Sequence, residues 1–281
     1  MKIVFFATPE YTNTVLEALT NAGHEIVSMV AKKDDLVFEE FQKMNPEICV
    51  IAAYGKIIPK KYLAVPRYGF VNIHPSLLPK YRGPSPIKTA ILNGDTETGV
   101  TIMILDAEMD HGPILAQAPY SIRHTTYHSE MQKELWELGA KLLINTLSKY
   151  ISYEVQPRKQ DHSQATFTKK LTREDGHINW SQPAEKIYNQ IRALSDEPGA
   201  WTTWNGKVLN IKSAETYTKM PFVIQRASLY TGTVIRVDGQ VAVATGKCYL
   251  ILKTIQLEGR KDTDAKSFVN GHSDFINSKL R

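Results

Sequence analysis

Short apolar runs alternate with helix-patterned segments over the first 53 residues of the chain. Three runs have the length of one buried strand each: Ile3 to Ala7, Ile26 to Val30 and Ile48 to Ala53. Glu10 to Ala22, followed by Gly23, and Leu36 to Met44, followed by Asn45-Pro46, have the endings typical of helices. Apolar strands that are joined by helices form a parallel sheet covered on both faces. The alternation therefore predicts an α/β domain with a Rossmann-like, mostly parallel sheet.

The connection after the first run is Ala7-Thr8-Pro9-Glu10 and contains no glycine. Dinucleotide-binding sheets carry G-x-G-x-x-G there, because glycines let the backbone approach a pyrophosphate. The sequence therefore argues against an NAD enzyme. Ligands of such sheets bind outside the carboxyl ends of the strands, which makes the connection beginning at Tyr54 either part of a binding site or a plain strand–helix loop.

Three residues between Phe70 and Gln117 can carry proton and carbonyl chemistry together: Asn72, His74 and Asp110. Asn72 and His74 end an apolar run, and residues i and i+2 of a strand point to the same face. Imidazole serves as a base near neutral pH, an amide is an uncharged donor, and a carboxylate can orient an imidazole and stabilise its charged form. The set predicts a general base, an oxyanion donor and a supporting carboxylate. Each residue also has a plain structural interpretation, as a strand-end histidine or a turn residue.

An ordered set of short motifs surrounds these residues. In chain order they are Asn72 and His74, Ser76-Leu77-Leu78-Pro79, Arg82-Gly83, Thr98-Gly99-Val100-Thr101 and Asp110. The set resembles the folate-dependent formyltransferases, and most closely the methionyl-tRNA formyltransferases, over most of the chain. The resemblance implies formyl transfer from 10-formyltetrahydrofolate with Asn72, His74 and Asp110 as the catalytic residues. It also implies that the folate binds near Ser76, Leu77, Leu78, Pro79 and Tyr54.

The pattern changes in the second half of the chain. Gln156 to Ala165 is polar and predicts a linker. Val234 to Val237 and Val241 to Ala244 flank the hairpin signal Asp238-Gly239-Gln240, and Tyr249 to Leu257 is a further strand. Short strands of this kind suggest a β-barrel, and the resemblance implies an OB-like one. We predict a catalytic domain at residues 1–155, a linker and interdomain stretch at 156–180, and a smaller OB-like β-barrel domain at 181–281.

The positive charge lies in the second part of the chain. Residues 1–165 hold 17 Lys+Arg and 18 Asp+Glu, a net −1, whereas residues 166–281 hold 17 and 11, a net +6. Such an excess serves either as a solubilising surface or as a phosphate-binding surface. With the resemblance, it makes initiator methionyl-tRNA the expected acceptor, alongside the folate donor. The expected tRNA contacts are Lys169, Lys170, Arg173, Lys207, Arg260 and Lys261.

One departure from the family leaves the acceptor open. Methionyl-tRNA formyltransferases usually carry a long basic loop and an extra strand–helix segment after the second strand, whereas here only Ala31 to Asp35 lies there, with Lys32 and Lys33 as its basic residues. The shortening favours an alternative acceptor, a nucleotide-linked amino sugar. A third interpretation is a nucleic-acid-binding protein with an inactive catalytic domain, against which the complete motif set argues.

Several function classes are disfavoured by composition. The longest apolar runs are far shorter than the roughly 20 residues that a membrane helix needs. The first residues lack the pattern of a signal peptide, and the two cysteines, Cys49 and Cys248, fit neither a disulfide framework nor a metal site. Asp106, Glu108 and His111 lie near Asp110 but lack metal-ligand spacing. We expect a cytoplasmic monomer without a membrane segment or a metal.

Overall fold

The computed structural model describes residues 1–31, 36–217 and 230–281. It divides into two compact units. The first comprises residues 1–90, 96–124 and 130–170, and the second comprises residues 91–95, 125–129 and 171–281. Lys32 and Lys33, the basic residues of the shortened segment, lie outside the described residues.

The first unit is built on a six-stranded sheet in the order β2-β1-β3-β4-β5-β6. Its strands are β1 (Lys2–Ala7), β2 (Glu25–Val30), β3 (Ile48–Ala52), β4 (Phe70–His74), β5 (Glu97–Ile104) and β6 (Ile114–Ser121). The first four are parallel, whereas β5 pairs antiparallel with β4 and β6 pairs antiparallel with β5. The predicted mostly parallel, Rossmann-like sheet is therefore confirmed. The sequence analysis missed β6, an edge strand that contains Pro119, a residue that a central strand would not tolerate.

Helices connect these strands. They are α1 (Pro9–Asn21), α2 (Phe38–Met44), α3 (Lys60–Leu63), α4 (Pro86–Asn93) and α5 (His128–Ile151). The predicted ends of the first two are confirmed: Gly23 has φ +78 after α1, and Asn45 has φ 46 after α2. The second helix begins two residues later than predicted, because Val37 is extended. Within the described residues, no helix is long and apolar enough to cross a membrane.

Aromatic side chains fill the core beneath one face of the first sheet. Phe6 packs edge-on against Tyr54 with ring centroids 5.2 Å apart, and Phe41 and Phe70 lie in the same cluster. Cys49 is fully buried there, and burial raises the pKa of its thiol. Cys49 thus serves as a small apolar residue of this core.

The second unit carries an antiparallel sheet in the order β7-β8-β11-β10-β9, with β12 paired to β11. The strands are β7 (Trp201–Trp204), β8 (Lys207–Tyr217), β9 (Val234–Val237), β10 (Gln240–Ala244), β11 (Tyr249–Leu257) and β12 (Thr263–Asp264). Helices α6 (Ala184–Ala193) and α7 (Ala265–Gly271) accompany them. The predicted hairpin is confirmed, with Asp238 (φ 48) and Gly239 (φ 71) forming a two-residue turn that demands left-handed backbone.

Residues 277–281, here called the closing segment, connect the two edge strands of this sheet. On one side, Val234 N donates to Ser278 O at 2.9 Å and Leu280 N donates to Gly232 O at 2.8 Å. On the other side, Thr203 N of β7 donates to Arg281 O at 2.8 Å. The closing segment thereby occupies both open edges, which completes the predicted barrel.

Candidate active site

His74 is the last residue of β4 and pairs with Thr101 of β5. Its side chain is almost fully buried, and its Nε2 lies 2.9 Å from the carbonyl oxygen of Tyr81. A carbonyl oxygen only accepts hydrogen bonds, so Nε2 must carry a hydrogen and donate it. In the neutral ring Nδ1 is then the unprotonated nitrogen. The contact with Tyr81 thus fixes both the orientation of the imidazole and its tautomer.

Asp110 faces that unprotonated nitrogen. Its Oδ1 lies 3.5 Å from His74 Nδ1, and its Oδ2 accepts a hydrogen bond of 2.7 Å from Gly83 N. One carboxylate oxygen is therefore held by the backbone while the other is directed at the imidazole. The separation from Nδ1 is longer than a hydrogen bond, but it is short enough to stabilise a proton that arrives there.

Asn72 lies two residues before His74 on β4, opposite Met103 of β5 and Ile51 of β3. It is half-buried in a strand whose other members are buried. The alternation of the strand puts Asn72 on the same face as His74. The structure thus brings His74 and Asp110 within 3.5 Å of each other, with Asn72 on the face of β4 that carries His74.

Hydrogen bonds and one buried side chain stabilise the loop after β4. Ser76 Oγ donates to Lys80 O at 2.6 Å, and Thr101 Oγ1 donates to Ser76 O at 2.6 Å and accepts from Leu78 N at 3.1 Å. Leu78 is buried against Met103 and Ile114. The side chains of Ser76 and Leu78 therefore set the shape of the loop.

The expected folate contacts differ in exposure. Leu77 and Pro79 are half-buried, whereas Ser76 and Leu78 are buried. The ring of Tyr54 belongs to the aromatic core. A folate contact by any of these five residues stays a prediction.

The sequence analysis missed a segment that reaches this loop from far along the chain. Arg158 exchanges two hydrogen bonds of 2.8 Å with Ile114, and Arg82 N donates to Thr166 O at 2.9 Å. Thr168 N donates in turn to Arg82 O at 2.7 Å. Residues 158–168, here called the strap, thus bind both the loop after β4 and the loop after β5. Its polar composition predicted only a linker, since hydrogen bonds to distant backbone leave no periodic signal.

Arg82 and Gln160 form the buried centre of these contacts. Arg82 Nη2 donates to Gln160 Oε1 at 2.7 Å and to His162 Nδ1 at 2.8 Å. Gln160 Nε2 donates to Asp110 O at 2.9 Å and to Gly112 O at 2.7 Å. The Arg82 side chain therefore anchors the loop after β4 to the strap.

The acidic and histidine residues near Asp110 are paired with one another. His111 Nδ1 lies 2.6 Å from Asp106 Oδ2, and the His111 ring stacks on His162 with centroids 3.9 Å apart. Across residues 1–31, 36–217 and 230–281, the structure has no group of three His, Cys, Asp or Glu residues arranged to hold a metal ion.

The six expected tRNA contacts are all exposed. Lys169 and Lys170 end the first unit. In the second unit, Arg173 lies over the Trp201 ring at 5.3 Å. The other three, Lys207, Arg260 and Lys261, share one end of the barrel, because β8 begins where its partner β11 ends. Their contact with tRNA stays a prediction.

Comparison with known proteins identifies the family. The formyl transferase model matches residues 31–147 and the formyl transferase C-terminal domain model matches residues 170–273. Methionyl-tRNA formyltransferase of Roseiflexus castenholzii is 42% identical over 257 residues, which cover 92% of this chain and 80% of that protein. The Chloroflexus aurantiacus protein of the same name is 39% identical over 316 positions, covering 98% and 99%. The chain belongs to the formyl transferase family.

A solved structure shares the fold. It is the N-formyltransferase from Helicobacter canadensis in complex with folinic acid and dTDP-3-aminofucose, with a TM-score of 0.67 and 19% identity. The match covers 89% of this chain and 97% of that one.

The alignment with the Chloroflexus protein also measures a difference in length. The alignment is 316 positions long but includes only 98% of the 281 residues of this chain, or about 275. About 40 positions of the relative therefore have no counterpart here. The N-terminal family model begins its match at residue 31, directly after β2. Both observations agree with a shortened segment between β2 and α2.

Proposed function

We propose that this protein transfers the formyl group of 10-formyltetrahydrofolate to the amino group of methionyl-tRNA. The observation that carries the chemistry is the contact between His74 Nδ1 and Asp110, beside Asn72 on β4. The acceptor rests on the relatives named methionyl-tRNA formyltransferase, which are similar to this chain over nearly its whole length.

In this proposal Asn72, His74 and Asp110 each have one role in the reaction. The amine attacks the formyl carbon, and the Asn72 amide donates a hydrogen bond to the oxyanion that develops on the formyl oxygen. His74 takes the proton of the attacking amine at Nδ1, while its Nε2–H remains bonded to Tyr81 O. Asp110 stabilises the imidazolium that results. The proton returns to the folate nitrogen as the carbon–nitrogen bond of the donor breaks.

A nucleotide-linked amino sugar is the second candidate acceptor. The fold neighbour that holds dTDP-3-aminofucose and the shortened segment after β2 favour it. Both acceptors would use the same donor and the same three side chains, so the acceptor must be settled by assay.

The protein is expected to formylate methionyl-tRNA when both acceptors are offered with 10-formyltetrahydrofolate. Formyl-methionine recovered from the tRNA and formylated sugar nucleotide are measured in parallel at equal acceptor concentrations. Turnover of a dTDP-linked amino sugar without any formyl-methionine would show that the second candidate is correct. Binding of tRNA without turnover of either acceptor would support an inactive, nucleic-acid-binding protein.

Replacing Lys169 and Lys170 together by alanine is expected to raise KM for methionyl-tRNA and to flatten its dependence on salt. Each phosphate that a protein neutralises releases counterions, so binding falls as salt rises, and the slope should drop by about one to two contacts. The measurement is kcat/KM for methionyl-tRNA from low to moderate salt.

The control is Lys141 and Lys149 replaced by alanine, two exposed lysines on α5 that remove the same charge. If the control pair flattens the slope as much as the Lys169 and Lys170 pair, the effect reflects net charge and the two residues do not contact tRNA.

A further inference from the structure

Gln160 is buried, and its amide is fully engaged. Its Oε1 accepts from Arg82 Nη2 at 2.7 Å and Nε at 3.3 Å, while its Nε2 donates to Asp110 O at 2.9 Å and Gly112 O at 2.7 Å. A guanidinium only donates and carbonyl oxygens only accept, so the orientation of this amide admits no alternative. Gln160 therefore links a buried cation to the backbone on both sides of His111.

The backbone that Gln160 holds is unusual. Asp110 has φ 50, a left-handed conformation that costs free energy for a residue with a Cβ unless its surroundings impose it. Two residues later, a Cβ on Gly112 would collide with the carbonyl oxygen of Ile104. The turn is thus tightly confined, and the two donations from Gln160 fix its carbonyl groups.

The side-chain carboxylate of Asp110 is held by the same hydrogen-bond network as its backbone carbonyl. Gly83 N donates to the carboxylate at 2.7 Å, and Gly83 follows Arg82, whose backbone is bonded on both sides to the strap. Arg82 is itself buried, and Gln160 and His162 accept hydrogen bonds from its guanidinium. The Arg82–Gln160 pair therefore determines where both the carbonyl and the carboxylate of Asp110 lie.

We propose that Gln160 is a positioning residue for the proposed formyl transfer, acting through Asp110 on proton transfer at His74. Asp110 Oδ1 lies 3.5 Å from His74 Nδ1, where a small displacement removes much of the carboxylate's effect on the imidazolium. Gln160 does not touch the reacting atoms in this scheme. The contribution of Gln160 is to position the Asp110 carboxylate. This inference rests on the roles proposed above for His74 and Asp110.

Gln160→Glu tests this with a side chain of the same size. The carboxylate still accepts from Arg82, but its second oxygen faces the carbonyl oxygens of Asp110 and Gly112 and repels them. We expect kcat to fall by about 10–10²-fold, the scale of a displacement near 1 Å, with KM for donor and acceptor within about twofold of wild type. Gln164→Glu is the matched control: it makes the same charge change in the strap, where the Gln164 side chain is exposed and donates to Asp161 Oδ2.

A double-mutant cycle with Asp110→Asn separates positioning from a merely structural role. If Gln160 acts through Asp110, Gln160→Glu should lower kcat by less than about twofold once Asp110 is already asparagine. A full and additive loss in that background would overturn the proposal, as would wild-type kcat in the folded single variant. Gln160→Asn, which keeps the amide but shortens its reach, takes the place of Gln160→Glu if that variant does not fold.

The cycle is measured with whichever acceptor the wild-type protein formylates. If the wild-type protein formylates the amino-sugar nucleotide and not methionyl-tRNA, the proposed acceptor is wrong, but the role of Gln160 can still be tested with the sugar. If the wild-type protein formylates neither acceptor, Gln160 has no proton transfer to support and the inference fails with the proposed function.

Discussion

Replacing His74 by alanine is expected to lower kcat by about 10²–10⁴-fold, the range typical for loss of a general base. The Tyr81 carbonyl holds the Nε2–H of the ring, which leaves Nδ1 as the nitrogen that can take the amine proton. Alanine offers no basic group at this strand end. The measurement is single-turnover formylation with saturating donor and acceptor.

The matched control for this variant is His24→Ala. His24 follows α1, in the same unit but outside the predicted site, and its replacement should leave turnover unchanged. Thermal unfolding should show both variants folded. A folded His74→Ala protein with near wild-type kcat would remove the proposed base from the mechanism.

Replacing Asp110 by asparagine is expected to reduce kcat by about 10²–10⁴-fold while acceptor KM changes little. The variant keeps the shape of the side chain, and an asparagine oxygen can still accept from Gly83 N. Its NH₂ group would then face His74 Nδ1 and donate to the nitrogen that must take the proton. It would also carry no charge to stabilise an imidazolium. The variant therefore loses stabilisation of the transition state, which lowers kcat and leaves KM nearly unchanged.

Asp106→Asn provides the comparison for Asp110→Asn. Asp106 precedes Asp110 in the same loop and is paired with His111, so the substitution removes the same charge without altering the contact to His74. If Asp110→Asn mainly raises acceptor KM, the carboxylate binds the acceptor instead of supporting the base. If Asp106→Asn lowers kcat equally, the effect is one of loop charge.

The strand that carries Asn72 and His74 was predictable because its sequence pattern is local. Asn72 and His74 are two residues apart at the end of an apolar run, and the period of a strand alone places them on one face. The parallel part of the first sheet followed from apolar runs separated by helix endings. These are short-range patterns, and each can be recognised in a short stretch of sequence.

The contacts that complete the site were not predictable in this way. Gln160 lies 50 residues from Asp110 in a polar stretch, and nothing in its neighbourhood distinguishes it from a surface glutamine. Its proposed role depends on a hydrogen bond from the buried guanidinium of Arg82, which comes from another loop. Strand β6 was missed for a related reason, since Pro119 and its polar neighbours are permitted only by its place at the edge of the sheet.

The closing segment has a consequence for the order in which the protein is made. Residues 277–281 hydrogen-bond to both edge strands, so the outer edges of β7 and β9 stay unpaired until residues 277–281 have left the ribosome. All of the first unit has been synthesised by residue 170. The edge strands of the second sheet and the strands between them are complete at Leu257, the end of β11, and at about 5–20 residues per second the 24 residues from there to residue 281 take roughly 1–5 seconds. During that interval the two unpaired sheet edges are open to pairing with other chains.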